Sequence, residues 1–149
     1  MKNTREKLIN GGYTWILLIA FLVLLLIGGA SKVQAQTYQE VKAYIYDSTD
    51  IKHKEIVLRQ SILETGWYEC TKCSLDKKNI FGWYYKKKYL SFTHWKESVL
   101  YYERWQKRHY ESGGYYDFLE CIYKHKDGRC VRYATEPNYI NRLKSIKLL

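Results

Sequence analysis

The sequence predicts a mainly α domain, a compact helical body carrying one small β-hairpin. Three observations predict it. Apolar residues recur at steps of three and four through most of residues 36–149, the period of helices with one buried face. Polar caps and a glycine stop frame these stretches, and the only proline is Pro137. One segment breaks the helical period, where aromatic and β-branched residues flank three consecutive lysines. With no internal repeat, low-complexity tract or linker, a chain of 149 residues is expected to form one domain around one core.

Residues 1–35 read as a signal peptide rather than fold material. Lys2, Arg5 and Lys7 make a basic start, Trp15 to Ile27 an apolar stretch, and Val33 and Ala35 supply the small residues that signal peptidase reads. The apolar stretch, bounded by Gly28, Gly29 and Lys32, is short for a bilayer span. An uncleaved anchor is the other reading, and only in that case is membrane contact expected. No cysteine directly follows the stretch, which disfavours a lipid anchor.

In residues 36–149, Thr37 to Tyr46 reads as a short amphipathic helix or an extended arm. Asp50 then stands where an N-cap would sit for a helix from Ile51 to Thr65 that Gly66 stops. Ile80, Phe81, Trp83 and Tyr85, then Tyr89, Leu90 and Phe92, flank Lys86 to Lys88 and read as the hairpin. Thr93 is the expected cap of a long helix with Trp95, Val99, Tyr102 and Trp105 facing the core and Lys96, Glu103 and Lys107 facing water. A short helix is expected from Tyr115 to Tyr123, then the loop "KHKDGRC". A last helix should begin near Pro137, burying Ile140, Leu143 and Ile146.

The formal charge is +10, and +7 without residues 1–35. That balance suits nucleic acid, anionic lipid or an anionic wall polymer, and export disfavours the first. Tyrosine is abundant, at 16 residues. Such rings either stack on flat ligand faces such as sugars or fill a small core, and composition does not choose between these. Four cysteines, Cys70, Cys73, Cys121 and Cys130, are most simply read as disulfides in an exported chain, with three connectivities open. A Cys121–Cys130 pair would close a short loop. Zinc and a redox dithiol remain as lesser readings of the Cys70-x-x-Cys73 spacing.

Glu64 is out of place for a residue chosen only for stability. It occupies the last turn of the predicted helix, where unpaired carbonyls repel a carboxylate, and Leu63 and Trp67 offer apolar walls. Both effects raise its pKa. A carboxyl that keeps its proton near neutral pH is what protonating a poor leaving oxygen requires. Of the histidines, none combines with a serine and an acid in a hydrolytic set.

Four segments in order, "RQSILETGW" (59–67), "NIFGW" (79–83), "YLSFTHWKESVLYYERW" (89–105) and "YATEPNYINRL" (133–143), resemble the glucosaminidase domain of glycoside hydrolase family 73. The resemblance covers nearly all of residues 36–149. It implies a lysozyme-like α fold with the hairpin as a flap over a glycan cleft, and hydrolysis of the β-1,4 bond after N-acetylglucosamine in peptidoglycan. Residue by residue, it implies Glu64 as catalytic acid and Tyr133 as the active-site tyrosine. Asn79, Phe81, Trp83, Trp67 and Tyr139 are the expected substrate contacts. No metal or cofactor is expected, the partner is a peptidoglycan strand rather than nucleic acid, and the protein is expected to be a monomer.

The sequence departs from the family pattern in two places. Several members carry a second acid on the hairpin after the N-[LI]-F-G segment, whereas residues 80–93 contain neither Asp nor Glu. A substrate-assisted route, with Tyr133 orienting the acetamido group, is therefore the expectation. Glu136 stands in place of the usual Asp and is expected to favour the start of the last helix. Asp76 and Glu69 flank the cysteine loop as lesser candidates. A lytic transglycosylase, a non-catalytic wall-binding module and a zinc-stabilised binding domain are the competing classes.

Overall fold

The computed structural model describes residues 37–149, so the signal-peptide expectation lies outside the described residues. Among the described residues there are five α-helices, one 3-10 turn and two small antiparallel hairpins. The fold is mainly α, and none of these helices is long and apolar enough to cross a membrane.

Helix α1, Tyr38–Ser48, opens with a reciprocal cap: the Glu40 amide donates to Thr37 Oγ1 and the Thr37 amide to Glu40 Oε2. Val41 and Ile45 face inward and pack it onto α2, Lys54–Thr65. The start of α2 corrects the expectation of an Asp50 cap. Ile51 is buried, and Lys52 is bound through its amide and its carbonyl to the Gln106 side chain, at 2.7 and 2.9 Å. This lays residues 50–53 across helix α3, Trp95–His109, and the N-cap is His53 in a left-handed conformation. The Asp50 amide donates to Glu103, whose side chain is only 13 % exposed, so Glu103 is not the solvated residue the spacing predicted.

The inward stripe of α3 is as predicted, with Trp95, Val99, Tyr102 and Trp105 all buried. Its cap is His94, whose Nδ1 accepts from the Lys96 amide, rather than Thr93. Helix α4, Tyr115–Glu120, ends three residues earlier than expected. The chain after it pairs as a second hairpin, Tyr123–Lys124 (β3) with Cys130–Val131 (β4), joined by the Cys121–Cys130 disulfide. Lys126-Asp127 forms its turn, closed by the Gly128 amide donating to the His125 carbonyl at 2.9 Å, with Gly128 following at φ 82°. The other disulfide is Cys70–Cys73, which leaves no free thiol among the described residues and removes the thiolates a zinc site would need. Helix α5, Tyr139–Ser145, follows Pro137 by two residues and packs on α2 and α4.

The predicted hairpin is present as Tyr84–Tyr85 (β1) and Lys88–Tyr89 (β2), in the register Tyr84 to Tyr89 and Tyr85 to Lys88. Its base is tied by Asn79, whose amide nitrogen donates to the Trp83 and Leu90 carbonyls while its oxygen accepts from the Trp83 amide.

Candidate active site

The C-terminus of α2 is built to hold one side chain steady. Gly66 adopts φ 54° and its amide closes the helix onto the Ile62 carbonyl. Beneath the turn, Thr65 Oγ1 donates to the Ser61 carbonyl and accepts from the Tyr68 amide. Trp67 and Tyr68 are both left-handed, at φ 61° and 67°. These successive turns send Tyr68 into the core and Trp67 outward, where it is 38 % exposed and packs on Tyr38. Glu64, one residue before the end, is left facing a cleft.

That cleft has a volume of 720 Å³, within the range of small-molecule and glycan sites, and its walls are largely aromatic. Phe81, Trp83, Tyr133 and Tyr139 share it with Glu64. Tyr133 and Tyr139 are stacked at 5.8 Å, and Trp83 meets Tyr133 edge-on at 5.7 Å. Two expected contacts are elsewhere: neither Trp67 nor Asn79 lines the cleft, the first being turned outward and the second fully buried under the hairpin base. Asp76 and Glu69 are exposed outside it.

One oxygen of the Glu64 carboxyl is hydrogen-bonded and the other lies close to Gly82. Oε1 accepts from the Tyr139 hydroxyl at 3.0 Å. Oε2 lies against Gly82, so closely that a Cβ there would come within 2.5 Å of it. Burial pushes the pKa of Glu64 up, and the Glu136 charge adds to this, while the Tyr139 hydrogen bond and Arg142 oppose it. The direction agrees with the sequence expectation but the walls differ: Phe81, Gly82 and Tyr139 surround the carboxyl rather than Leu63 and Trp67.

Behind the carboxyl runs a chain of buried polar groups. Gln106 donates to the Tyr115 hydroxyl at 2.8 Å, and Tyr115 and Tyr102 are 2.6 Å apart. Tyr102 donates to Gln60 Oε1 at 2.5 Å, and Gln60 Nε2 makes a long contact of 3.5 Å with the Tyr139 oxygen. Because Tyr102 spends its proton on Gln60, Tyr115 must be the donor between the two phenols. Every bond in the series then points toward Glu64. Burial raises the phenols of Tyr102, Tyr133 and Tyr139 well above their usual range, so they stay protonated donors. Tyr133 donates to the Phe81 carbonyl at 2.9 Å and so braces the loop that carries Gly82.

The cleft also holds residues that sequence reasoning did not assign to it. Tyr84 and Tyr89 line it from the hairpin, and Arg132 and Glu136 from the segment before α5. Strand alternation was a usable signal for the two tyrosines: a two-residue turn puts positions 84 and 89 opposite each other on one face. Glu136 pairs with Arg142 at 2.7 Å, close to the helix-start role expected of it, but its side chain is 45 % exposed and reaches the cleft.

A mainly α domain with a largely buried carboxyl of raised pKa in an aromatic-walled cleft has the equipment of a glycoside hydrolase. The family of glucosaminidases described as mannosyl-glycoprotein endo-beta-N-acetylglucosaminidase matches residues 32–147, and the chain belongs to that family. No curated protein and no solved structure matches the chain.

Proposed function

We propose that the protein is an exported endo-β-N-acetylglucosaminidase that hydrolyses the β-1,4 bond following N-acetylglucosamine in peptidoglycan, with Glu64 as general acid. The observation that carries this reading is the Glu64 carboxyl, raised in pKa by burial and facing a cleft of glycan size. Export is supported by the leader-like pattern of residues 1–35 and by the two disulfides, which persist in oxidising compartments such as the periplasm or cell envelope.

The chemistry follows from the hydrogen bonding. With Oε1 accepting from Tyr139, the proton of Glu64 resides on Oε2 and passes to the leaving glycosidic oxygen as the C1–O bond breaks. The 2-acetamido oxygen of the same sugar attacks C1 and forms an oxazolinium ion. Water then opens that ring, giving its proton back to Glu64. Tyr133, whose proton is committed to Phe81, retains lone pairs that can accept the acetamido N–H and orient its carbonyl. Phe81, Trp83, Tyr84 and Tyr89 supply ring faces for the sugars.

The test is to digest peptidoglycan with the protein and with Glu64→Gln, reduce the products with borohydride, and read the new ends by mass spectrometry. Reduced N-acetylglucosamine ends from the unaltered protein alone support the proposal. Ends of the 1,6-anhydro-muramic type would make it a lytic transglycosylase, and binding without new ends a wall-glycan module.

A further inference from the structure

The charge of this molecule is concentrated in one stretch. Residues 70–96 hold seven lysines and one acid, Asp76, a net +6 out of the +7 that residues 36–149 carry. None of these lysines has an acidic partner among the described residues. Three of them stand together at the end of the hairpin β1–β2, all exposed. Lys86 and Lys87 form its two-residue turn, at φ 48° and 61°, and Lys88 follows in β2. Consecutive left-handed residues suit Asn-Gly, and residues with side chains rarely adopt them. A single lysine is enough to discourage edge pairing of a short strand. Folding and solubility therefore leave three in succession unexplained.

The register gives the hairpin two different faces. Tyr84 lies opposite Tyr89, and both line the cleft. Tyr85 lies opposite Lys88 on the other face, and neither lines the cleft. The Lys86 ammonium sits 5.3 Å over the Tyr85 ring, which places it with that outer face as well. Tyr85 is 62 % exposed. The outer face thus presents an uncovered ring with ammonium groups around it, and the nearest acids along the chain are Asp76 and Glu97.

Such a face fits an anionic surface that also has an apolar layer. At a bilayer interface a tyrosine ring settles at headgroup depth, while lysine stems lie along the apolar boundary and keep their ammonium groups at the phosphates. A soluble polyanion would use the lysines and leave the ring idle. Because the outer face shares no residue with the cleft, docking it leaves Tyr84 and Tyr89 free for a glycan. We infer that the outer face of the hairpin, Tyr85 with Lys86, Lys87 and Lys88, is a docking surface for the headgroups of an anionic lipid bilayer, holding the open cleft beside the membrane. The inference concerns where the protein sits and does not depend on which bond the cleft cuts.

The test reads the hairpin tip itself. All four cysteines are in disulfides, so Lys87→Cys in the full chain supplies the only free thiol, to which an environment-sensitive fluorophore is attached. The labelled protein is titrated with vesicles of equimolar phosphatidylglycerol and phosphatidylcholine, with vesicles of phosphatidylcholine alone, and with inorganic polyphosphate. A blue shift of the emission on the anionic vesicles alone is expected. The signal is local to the tip, so contact between residues 1–35 and lipid does not produce it. Lys86→Gln with Lys88→Gln should weaken the lipid affinity of the tip on the order of 30-fold, and arginine at both positions should retain it. Lys124→Gln with Lys126→Gln removes the same charge from the other hairpin and should change the affinity little. Tyr85→Ser should weaken it severalfold with no change of charge. Circular dichroism checks that each variant keeps the fold. The inference is overturned by equal shifts on both kinds of vesicle, or by a folded glutamine variant of the tip that keeps the full affinity. It is overturned equally by a response to polyphosphate that matches the anionic vesicles and ignores Tyr85→Ser, which would make the partner a soluble polyanion.

Discussion

The same residue type does opposite work in two regions of this molecule. In the interior, Tyr102 and Tyr115 are buried with their hydroxyls in a directed series behind Glu64, and Tyr139, also buried, donates to the acid itself. On the hairpin, Tyr84 and Tyr85 are more than 60 % exposed and Tyr89 is 47 % exposed, with no hydroxyl hydrogen bond among the described residues. The difference teaches that the interior uses the phenol's oxygen and the hairpin its ring. A buried hydroxyl without a partner costs free energy, so each interior tyrosine is locked by its neighbour, whereas the hairpin tyrosines are free to meet a ligand.

The sharpest way to break the interior side is to move the acid it supports. Gly82→Ala introduces a Cβ 2.5 Å from Glu64 Oε2 at a position with φ +64°. The carboxyl must shift or the loop must unlatch from Tyr133. Loss of kcat on peptidoglycan by about 100-fold or more is expected, the scale of a misplacement near 1 Å. A variant with near-normal kcat would mean that Glu64 is not held by this contact.

Next in size is the contrast between Tyr102→Phe and Tyr85→Phe, read by denaturant unfolding. The first strips Gln60 Oε1 and the Tyr115 hydroxyl of their partner inside the core and should cost about 1–3 kcal/mol. The second removes an exposed, unbonded hydroxyl and should fall within about 0.5 kcal/mol of zero. Equal losses would erase the distinction between the two regions.

Glu64 itself links the site to stability. Folding raises its pKa above the ordinary carboxylate value, so over the interval between the unfolded and folded values the folded protein binds more protons than the unfolded chain. Stability therefore falls as pH rises through that interval. Glu64→Gln removes this dependence: its melting temperature should exceed that of the unaltered protein at neutral pH, and the gain should vanish below about pH 4. A gain that persists at low pH would have another origin.

Much of the fold was legible because its signals were local. The Gly66 stop and the buried stripe of α3 depend on residues within a turn or two of each other. What was missed depends on distant partners. Asp50 has the chemistry of a cap, yet Gln106 and Glu103 on α3 claim the backbone around it. Tyr123 reads as the end of a helix until Cys130 and Val131 pair with its strand. In the site, Glu64 and the two tyrosines of the Y-A-T segment are brought together, but Asn79 and Trp67 are not. An amide two residues from Phe81 looks like a ligand group in a linear sequence, and only the folded hairpin shows that Asn79 is consumed in bracing its base.

The smallest expected effects concern how finely the interior tunes its acid. Tyr139→Phe removes a hydrogen bond that lowers the pKa of Glu64, so the basic limb of kcat should move to higher pH, alongside a loss of rate from looser positioning. Glu136→Gln acts in the opposite sense. It removes a charge that raises Glu64 and releases Arg142, whose charge lowers it, so both consequences move the limb to lower pH. Because the Glu136–Arg142 pair is about half exposed, screening should keep this shift small and shrink it further as salt is added. The rate on the acid side of the profile carries separate information. Among the described residues Glu136 is the only other carboxylate lining the cleft, and a single-acid, substrate-assisted route does not require it. A small limb shift with the acid-side rate nearly kept makes Glu136 a tuning charge. A fall of about 100-fold across all pH would instead make it the second carboxylate of a two-carboxylate mechanism, placed on the segment before α5.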